Sequence, residues 1–278
     1  MLTIQAALDQ GTKLLTEAAV PVPRLTAEVL LAYAARRDRT WLYAHSNEEL
    51  RELWWIHYGR YLDERMKGKP TQYITKRQEF FGREFIVGPD VLIPRPETEH
   101  VIEAALEKLG NLPGAIVDAG TGSGAIAITL ALETGRPAIA TDISIAALRV
   151  AARNRVKLGA PVQLIGCDLL SAVRSRTAAL VASNPPYVPG TDHSVLQREV
   201  VEYEPHVALF GGLDGLEVYR RLITDARRVL RPGGWIVMEV AYNADRAVRA
   251  MLAGSFTGIE LRTDLAGLPR VVAARLPV

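Results

Sequence analysis

The sequence predicts an α/β chain in which a mostly parallel, doubly wound sheet of seven strands follows a helical domain and a β-hairpin. Three observations predict it. From residue 94 onward, short apolar runs alternate with helical segments across glycine turns, the signature of repeated βαβ units. Residues 1–70 show helical spacing and no strand-like alternation. Between them, "TQYITKRQEFFGREFIVGPDVLI" (71–93) alternates apolar and polar residues around Gly82, as a hairpin linker does. The expected organisation is therefore a helical domain over 1–70, a hairpin over 71–93 and an α/β domain over 94–278.

In the first domain, "IQAALDQGTKLLTEAAV" places Ile4, Leu8, Leu14 and Leu15 near helical spacing, and Pro21-Val22-Pro23 ends the segment. "TAEVLLAYAARR" is expected to start at Thr26 as N-cap. "SNEELRELWWIHYGRYLDERMKG" opens with a Ser or Asn cap and early glutamates and runs to Gly68. It carries Trp54, Trp55, Tyr58 and Tyr61, a spacing that fits a domain core or, alternatively, a partner-binding face.

In the last domain, "GAIVDAG" is a strand ending in Asp118 and "SGAIAITLALETG" the helix after it. "PAIATD" and "SIAALRVAARNRVKLG" form the next pair, capped by Ser144 and stopped by Gly159. "PVQLIGCD" and "AALVASN" are the third and fourth strands. "LDGLEVYRRLITDARRVLRPGG" is a long helix ending in a Pro-Gly-Gly turn, before the strand "WIVMEV". A helix in "NADRAVRAMLAG" and strands near 256–262 and 270–275 complete the sheet. Ligands of such sheets bind at the carboxyl ends of the strands, where Asp118, Asp142, Asp168, Asn184 and Glu239 all lie.

Composition excludes several classes. A single cysteine, Cys167, rules out an internal disulfide framework and a cysteine-based zinc site, and the five histidines lack close metal-ligand spacing, so no metal is expected. No apolar run approaches the roughly 20 residues of a membrane span. The opening "MLTIQAALDQ" has no signal-peptide pattern, so a cytoplasmic location is expected. The net charge of +2 does not require a nucleic-acid partner. The basic runs "AARRDRT" and "YLDERMKGKPTQYITKR" fit solvated helix faces or a docking surface for something acidic.

The chemistry concentrates in two stretches. "VDAGTGSGAIAI" sets Gly120, Gly122 and Gly124 between the first strand and its helix, where glycines permit a tight turn and close backbone approach to a ligand. It is neither GxGxxG nor a phosphate loop with Lys-Ser or Lys-Thr. Asp142, 22 residues after Gly120, is placed to accept hydrogen bonds from ribose hydroxyls, a feature that fits NAD and S-adenosylmethionine equally. Asp168 is either a further acceptor, the place where S-adenosylmethionine enzymes commonly receive the adenine amino group with an apolar neighbour such as Leu169 against the ring, or the N-cap of "LLSAVRS". The second stretch, "ALVASNPPYVPG" (179–190), stops a strand with two prolines that cannot donate to the ladder. It is either a stiff turn or a rigid mount for the Asn184 side chain and nearby carbonyls.

Taken together, Asp-x-Gly-x-Gly-x-Gly, the second-strand acid and Asn-Pro-Pro-Tyr resemble the Rossmann-like S-adenosylmethionine-dependent methyltransferases that modify planar nitrogens: adenine N6, cytosine N4 or the glutamine amide. "VLIPRPETEHVIE" (91–103) and "EYEPHVALFGGLDGLEVYRRL" (202–222) narrow the resemblance to the PrmC/HemK family, protein-glutamine N5-methyltransferases of peptide chain release factors. It covers nearly the whole chain. The sequence departs from relatives at Lys76, where glycine is usual, and at Ala241 and Ala244, where glycine and glutamine are common; these bear on the pocket wall.

The resemblance implies methyl transfer from S-adenosylmethionine, leaving S-adenosylhomocysteine, to the glutamine of a Gly-Gly-Gln motif in class I release factors. The cofactor site would comprise Asp118, Gly120, Thr121, Gly122, Ser123, Gly124, Asp142, Asp168, Leu169 and Asn184. Catalysis would fall to Asn184, Pro185 and Tyr187, with Pro186, Arg95 and Glu97 also meeting substrate. Arg95, Glu97 and Glu99 fit a pocket mouth or an Arg–Glu network equally. The helical domain would dock the release factor, and the enzyme would act as a monomer without stable nucleic-acid or membrane binding. The rivals are a nucleic-acid methyltransferase, which needs a basic cleft or recognition domain for an extruded base, a ribosomal-protein glutamine methyltransferase, and a non-catalytic cofactor-binding module.

Overall fold

A computed structural model of the chain describes residues 2–190 and 197–278. His193 lies outside the described residues. Two compact units emerge: the chain up to Lys76 together with Gln197–Tyr203, and the chain from Arg77 onward, resuming at Glu204 and running to Val278.

The first unit contains α1 (Ile4–Glu17), α2 (Pro23–Ala35), α3 (Arg39–Ala44), α4 (Glu52–Met66) and α5 (Thr71–Thr75). Leu8, Leu15, Leu30, Leu31, Tyr58 and Leu62 form its core. Tyr58 is fully buried, whereas Trp54, Trp55 and Tyr61 pack against that core with part of each ring exposed. The predicted cap at Thr26 is not the helix start. Pro23, whose fixed φ is pre-organised for the first turn, begins α2, and Thr26 lies inside it. Nor does Ser46 or Asn47 open α4. Residues 46–50 pair with the beginning of the chain instead, through Gln5 N to Ser46 O at 2.8 Å and Ile4 N to Glu48 O at 3.0 Å. The short helix α3, capped by the Asp38 carboxylate on Trp41 N, was not anticipated.

Two further differences concern the hairpin. Its strands are β1 (Arg77–Phe80) and β2 (Arg83–Ile86), and Thr71–Thr75, predicted within it, is helical. Lys76 closes that helix at φ +59°, the left-handed region that favours glycine, so the departure at this position is a lysine held in a glycine conformation. The first unit also takes in α9 (Arg198–Tyr203), a segment read from sequence as part of the α/β domain. The buried Arg65 guanidinium meets Glu199 at 2.6 Å and the Tyr203 hydroxyl donates to Lys67 O at 3.0 Å.

The second unit is built on a seven-stranded sheet: β3 (Ala115–Ala119), β4 (Ala138–Asp142), β5 (Val162–Gly166), β6 (Ala178–Ser183), β7 (Leu230–Glu239), β8 (Thr257–Thr263) and β9 (Pro269–Arg275). Their order is β5-β4-β3-β6-β7-β9-β8, parallel through β7, with β9 antiparallel to both its neighbours. From β3 the chain moves outward through β4 to β5 and then returns to β6 on the other side of β3, so the strand order reverses there and the crevice for a ligand lies above β3. Helices α6 (Glu99–Leu109) and α7 (Ala125–Thr134) cover one face with the hairpin's Phe80 and Phe85. Helices α10 (Glu217–Val229) and α11 (Asp245–Ala253) cover the other through Tyr219, Leu222, Val248 and Leu252. Helix α10 starts later than predicted, at Glu217. It passes directly into β7 at Leu230, which pairs with Ala178, so Pro232-Gly233-Gly234 forms an irregularity inside the strand rather than a turn before it. Helix α8 (Ile145–Leu158) carries the buried Asn154. Its amide accepts from Ile86 N at 2.7 Å and donates to Ile86 O and Ser123 O, tying β2 to the glycine turn.

Candidate active site

A cavity of about 410 Å³ opens over the carboxyl ends of β3, β4, β5 and β6, within the size range of small-molecule sites. Gly120, Thr121, Gly122, Ser123, Asp142, Asp168, Leu169, Asn184 and Pro186 line it, joined by Thr98 and by Phe210 and Val207 on an apolar wall. The sheet topology thus gathers, from four separate strand ends, most of the residues singled out in the sequence.

The glycine turn works through its backbone. Gly120 and Gly122 have φ +71° and +54°, and a Cβ added at either would meet open space, so ligand atoms can approach the main chain closely. Gly124, at φ +86°, faces inward, where a Cβ would press on Ile128 and Ala151; its absence lets α7 pack. Asp118 lies behind the turn, fully buried. Its Oδ2 accepts from Thr121 Oγ1 at 2.6 Å and Ala127 N at 3.0 Å, while its Oδ1 has no hydrogen-bond partner. Burial pushes this carboxyl up to about 7. Asp142 ends β4 with Oδ2 accepting from Gly122 N and Oδ1 from Ser144 N, each at 2.8 Å, and burial raises its pKa as well. Both oxygens keep lone pairs for hydroxyl donors. A close-approach turn, an anchored acid and an apolar wall suit the ribose, adenine and amino-acid parts of S-adenosylmethionine.

Asp168 does not cap a helix. Its carboxylate is paired with the Arg221 guanidinium of α10, and Arg221 itself lines the cavity. Sequence reasoning missed Arg221 because nothing local marks it. Leu169 adopts φ +45° beside it.

On the acceptor side, the turn after β6 places Asn184 and Pro186 on the cavity, with Pro185 buried beneath. Asn184 Nδ2 donates to Thr98 Oγ1 at 3.1 Å, and that hydroxyl donates to Glu239 Oε2 at 2.6 Å. Tyr187 stands behind, its hydroxyl 3.4 Å from Glu239 Oε1, and the Tyr219 hydroxyl donates to Glu239 O at 2.9 Å. Burial first, then the neighbouring negative Glu239, raises the Tyr187 pKa, so the phenol stays neutral. Glycines from the "FGGLDG" loop seat this turn. A Cβ on Gly211 would lie 2.4 Å from Pro186 O, and one on Gly215 2.4 Å from Tyr187 O. The loop is stitched to the turn by Val188 N to Leu209 O and Gly211 N to Val188 O, both 2.9 Å.

Arg95 and Glu97, expected to meet substrate, are engaged elsewhere. The Arg95 guanidinium binds the buried Glu204 carboxylate, which also accepts from Ile93 N at 3.1 Å. Glu97 lies 3.7 Å from Arg270, and Glu99 accepts from Phe81 N at 2.8 Å. From the 91–103 stretch the cavity receives Val91, Leu92, Pro94 and Thr98 instead. Nothing local marks Thr98, whose partners Asn184 and Glu239 lie 86 and 141 residues away.

Comparison with known proteins bears on family and fold. The family model described as the PrmC N-terminal domain matches residues 6–75, and that of the methyltransferase small domain matches residues 99–208. The chain is 42% identical to the release factor glutamine methyltransferase of Koribacter versatilis, over 99% of both chains. It is 41% identical to that of Moorella thermoacetica over 98% of both. Among solved structures, a methyltransferase from Pyrococcus furiosus superimposes with a TM-score of 0.53 at 17% identity, covering 74% of this chain and 94% of the other, a likeness of fold. Full-length identity at this level leaves one conclusion: the chain belongs to the release factor glutamine methyltransferase family.

Proposed function

We propose that this chain transfers a methyl group from S-adenosylmethionine to the side-chain amide nitrogen of the glutamine in the Gly-Gly-Gln motif of class I peptide chain release factors, and so supports translation termination. The observation that carries the reading is the Asn184 amide at the cavity, turned with its NH2 group on Thr98 so that its oxygen remains for an N–H donor.

The glycine turn from Gly120 to Gly124, Asp142, Asp168 and Leu169 would hold the cofactor, with Asp118 bracing the turn from behind. When bound, the cofactor supplies an electrophilic methyl on a sulfonium. The work of the chain's own residues follows from amide chemistry. A glutamine nitrogen is a poor nucleophile because its lone pair is delocalised into the carbonyl. Asn184 Oδ1 and the Pro185 carbonyl accept its two N–H groups, fixing the nitrogen's direction and favouring the charge it develops. Pro185 and Pro186 keep those acceptors from turning away. Tyr187, neutral and standing behind the turn, would support it through its hydroxyl on Glu239. No strong general base is needed, since the proton can leave after transfer.

The helical unit would dock the folded release factor, because a tripeptide alone offers few contacts. The same reading places the enzyme in the cytoplasm as a monomer without stable nucleic-acid binding. Among the described residues no helix is long and apolar enough to cross a membrane. The test is transfer of labelled methyl to a purified class I release factor, its Gln→Glu variant and duplex DNA. Label on the wild-type factor alone is expected, since a carboxylate has no nitrogen to methylate. Label on DNA, or on the glutamate variant, would refute the assignment.

A further inference from the structure

The buried Glu239 has no place in the chemistry described above, yet it stands two hydrogen bonds from the Asn184 amide. It ends β7 with 4% of its surface exposed, and Thr98, equally buried, bridges it to Asn184. Burying a carboxylate is costly unless its hydrogen bonds repay the loss of water, so a relay of this kind calls for a role.

A threonine hydroxyl has one proton to give. An ionised carboxylate only accepts, so Glu239 in that form takes the Thr98 proton, and the hydroxyl can then do nothing but accept. The side chain that meets it must present a donor. For Asn184 this fixes which end of the amide faces Thr98, and the oxygen falls on the other branch. Were Glu239 protonated, it could donate to Thr98, Thr98 could donate onward, and Asn184 would be satisfied with its oxygen turned to Thr98 and its NH2 toward the cavity. An NH2 facing the N–H groups of a substrate amide repels them.

We propose that Thr98 and Glu239 are positioning residues that set the polarity of the Asn184 amide, presenting an acceptor to the substrate nitrogen when Glu239 is ionised and a donor when it is not. This rests on the glutamine-methylating reading, since only a substrate that offers N–H groups makes the acceptor the productive state.

The surroundings of Glu239 make the switch titratable. Burial pushes its carboxyl up to about 7, against the Thr98 hydrogen bond; Glu97, in the turn over Pro96–Thr98, pushes it up further, while Tyr187 after β6 and Arg270 on β9 draw it down. Tyr219 of α10 contributes only a hydrogen bond to the Glu239 main chain, and Arg95 is paired with Glu204, from where its charge acts on Tyr187. Carboxylate prevails above that range and the acid below it, so the productive polarity is lost as pH falls.

The test measures methyl transfer to a class I release factor from pH 5.5 to 9 at saturating cofactor, alongside NMR of the Asn184 side-chain amide and of the Glu239 carboxyl carbon. For the wild type, kcat should fall about tenfold per pH unit below the Glu239 midpoint, and the Asn184 amide signals should shift with that same midpoint. Thr98→Val should slow turnover at pH 8 by at least about tenfold and uncouple the two NMR titrations. Thr98→Ser, which keeps the hydroxyl, should restore both. Glu239→Gln, which cannot ionise, should flatten the acid limb. Wild-type turnover in Thr98→Val, or an acid limb that survives in both Thr98→Val and Glu239→Gln, would overturn the relay; the Thr98 pair decides if the Glu239 variant does not fold. If the wild type transfers no methyl to the factor while the amide still follows Glu239 and loses that coupling in Thr98→Val, the relay stands and the assigned substrate falls.

Discussion

The two halves of the cavity hold their functional groups by different means. On the glycine-turn side, Asp142 is anchored by backbone N–H groups two and twenty residues away, and the turn is braced by Asp118 from three and nine residues away. On the Asn184 side, the anchors are side chains 86 and 141 residues apart along the chain, and the seat is a glycine loop beyond residue 210. A backbone cradle is polar in one sense only, because an N–H cannot become an acceptor. A side-chain relay can reverse. The first arrangement suits a ligand that is the same in every turnover, and the second suits a step in which direction matters.

The difference can be broken apart with one substitution on each side. Asn184→Ala should leave cofactor affinity little changed while turnover falls by about a hundredfold or more, the scale for losing a positioned transition-state hydrogen bond. Asp142→Ala should weaken cofactor binding by roughly 1–3 kcal/mol, because the hydroxyls lose a charged acceptor. Calorimetric titration and single-turnover transfer on both variants separate the halves. Equal losses of binding and turnover in Asn184→Ala would mean that both halves serve the cofactor.

The seat beneath the acceptor turn gives a smaller, sharper probe. Gly215 has φ +72°, and a Cβ there would lie 2.4 Å from Tyr187 O, so Gly215→Ala must displace the turn or the loop. Shifts of this kind well short of an ångström are expected to cost turnover about tenfold, given that 1 Å misplacements cost about a hundredfold. Cofactor affinity should hold, since Gly215 touches only the acceptor side. Transfer assays at saturating cofactor check it, and unchanged turnover would show that the Pro186–Tyr187 backbone adjusts freely.

How much of this was legible in the sequence follows the same division. The glycine turn and Asn184-Pro185-Pro186-Tyr187 are local patterns at strand ends, and of the second Asn184 and Pro186 lie on the cavity with Pro185 and Tyr187 behind them. Features set by distant partners were not legible. Residues 46–50 looked like a helix start but are held by the first turn of α1. The segment from Gln197 to Tyr203 joins the helical unit through Arg65 and Lys67, which no local signal announces. Arg95 and Glu97, for which a pocket mouth and an Arg–Glu network fit equally, are paired with the distant Glu204 and Arg270. Thr98, next to Glu97 and uncharged, reaches the cavity.

Asp168 offers the finest test, because it belongs to the glycine-turn side yet is held as the acceptor side is, by a distant side chain. Its pairing with Arg221 is about half exposed on both partners, and such pairs contribute roughly 0–1 kcal/mol. If Asp168 receives the adenine amino group, Arg221 competes for the same carboxylate. Arg221→Ala should then tighten cofactor binding slightly, by less than about 1 kcal/mol. The gain should shrink as salt rises, because screening already loosens the pair in the parent chain. Calorimetric titration of both proteins at low and at high ionic strength resolves a change of this size. A tenfold weakening instead would make Arg221 a direct ligand contact and would move the boundary between the two halves onto α10.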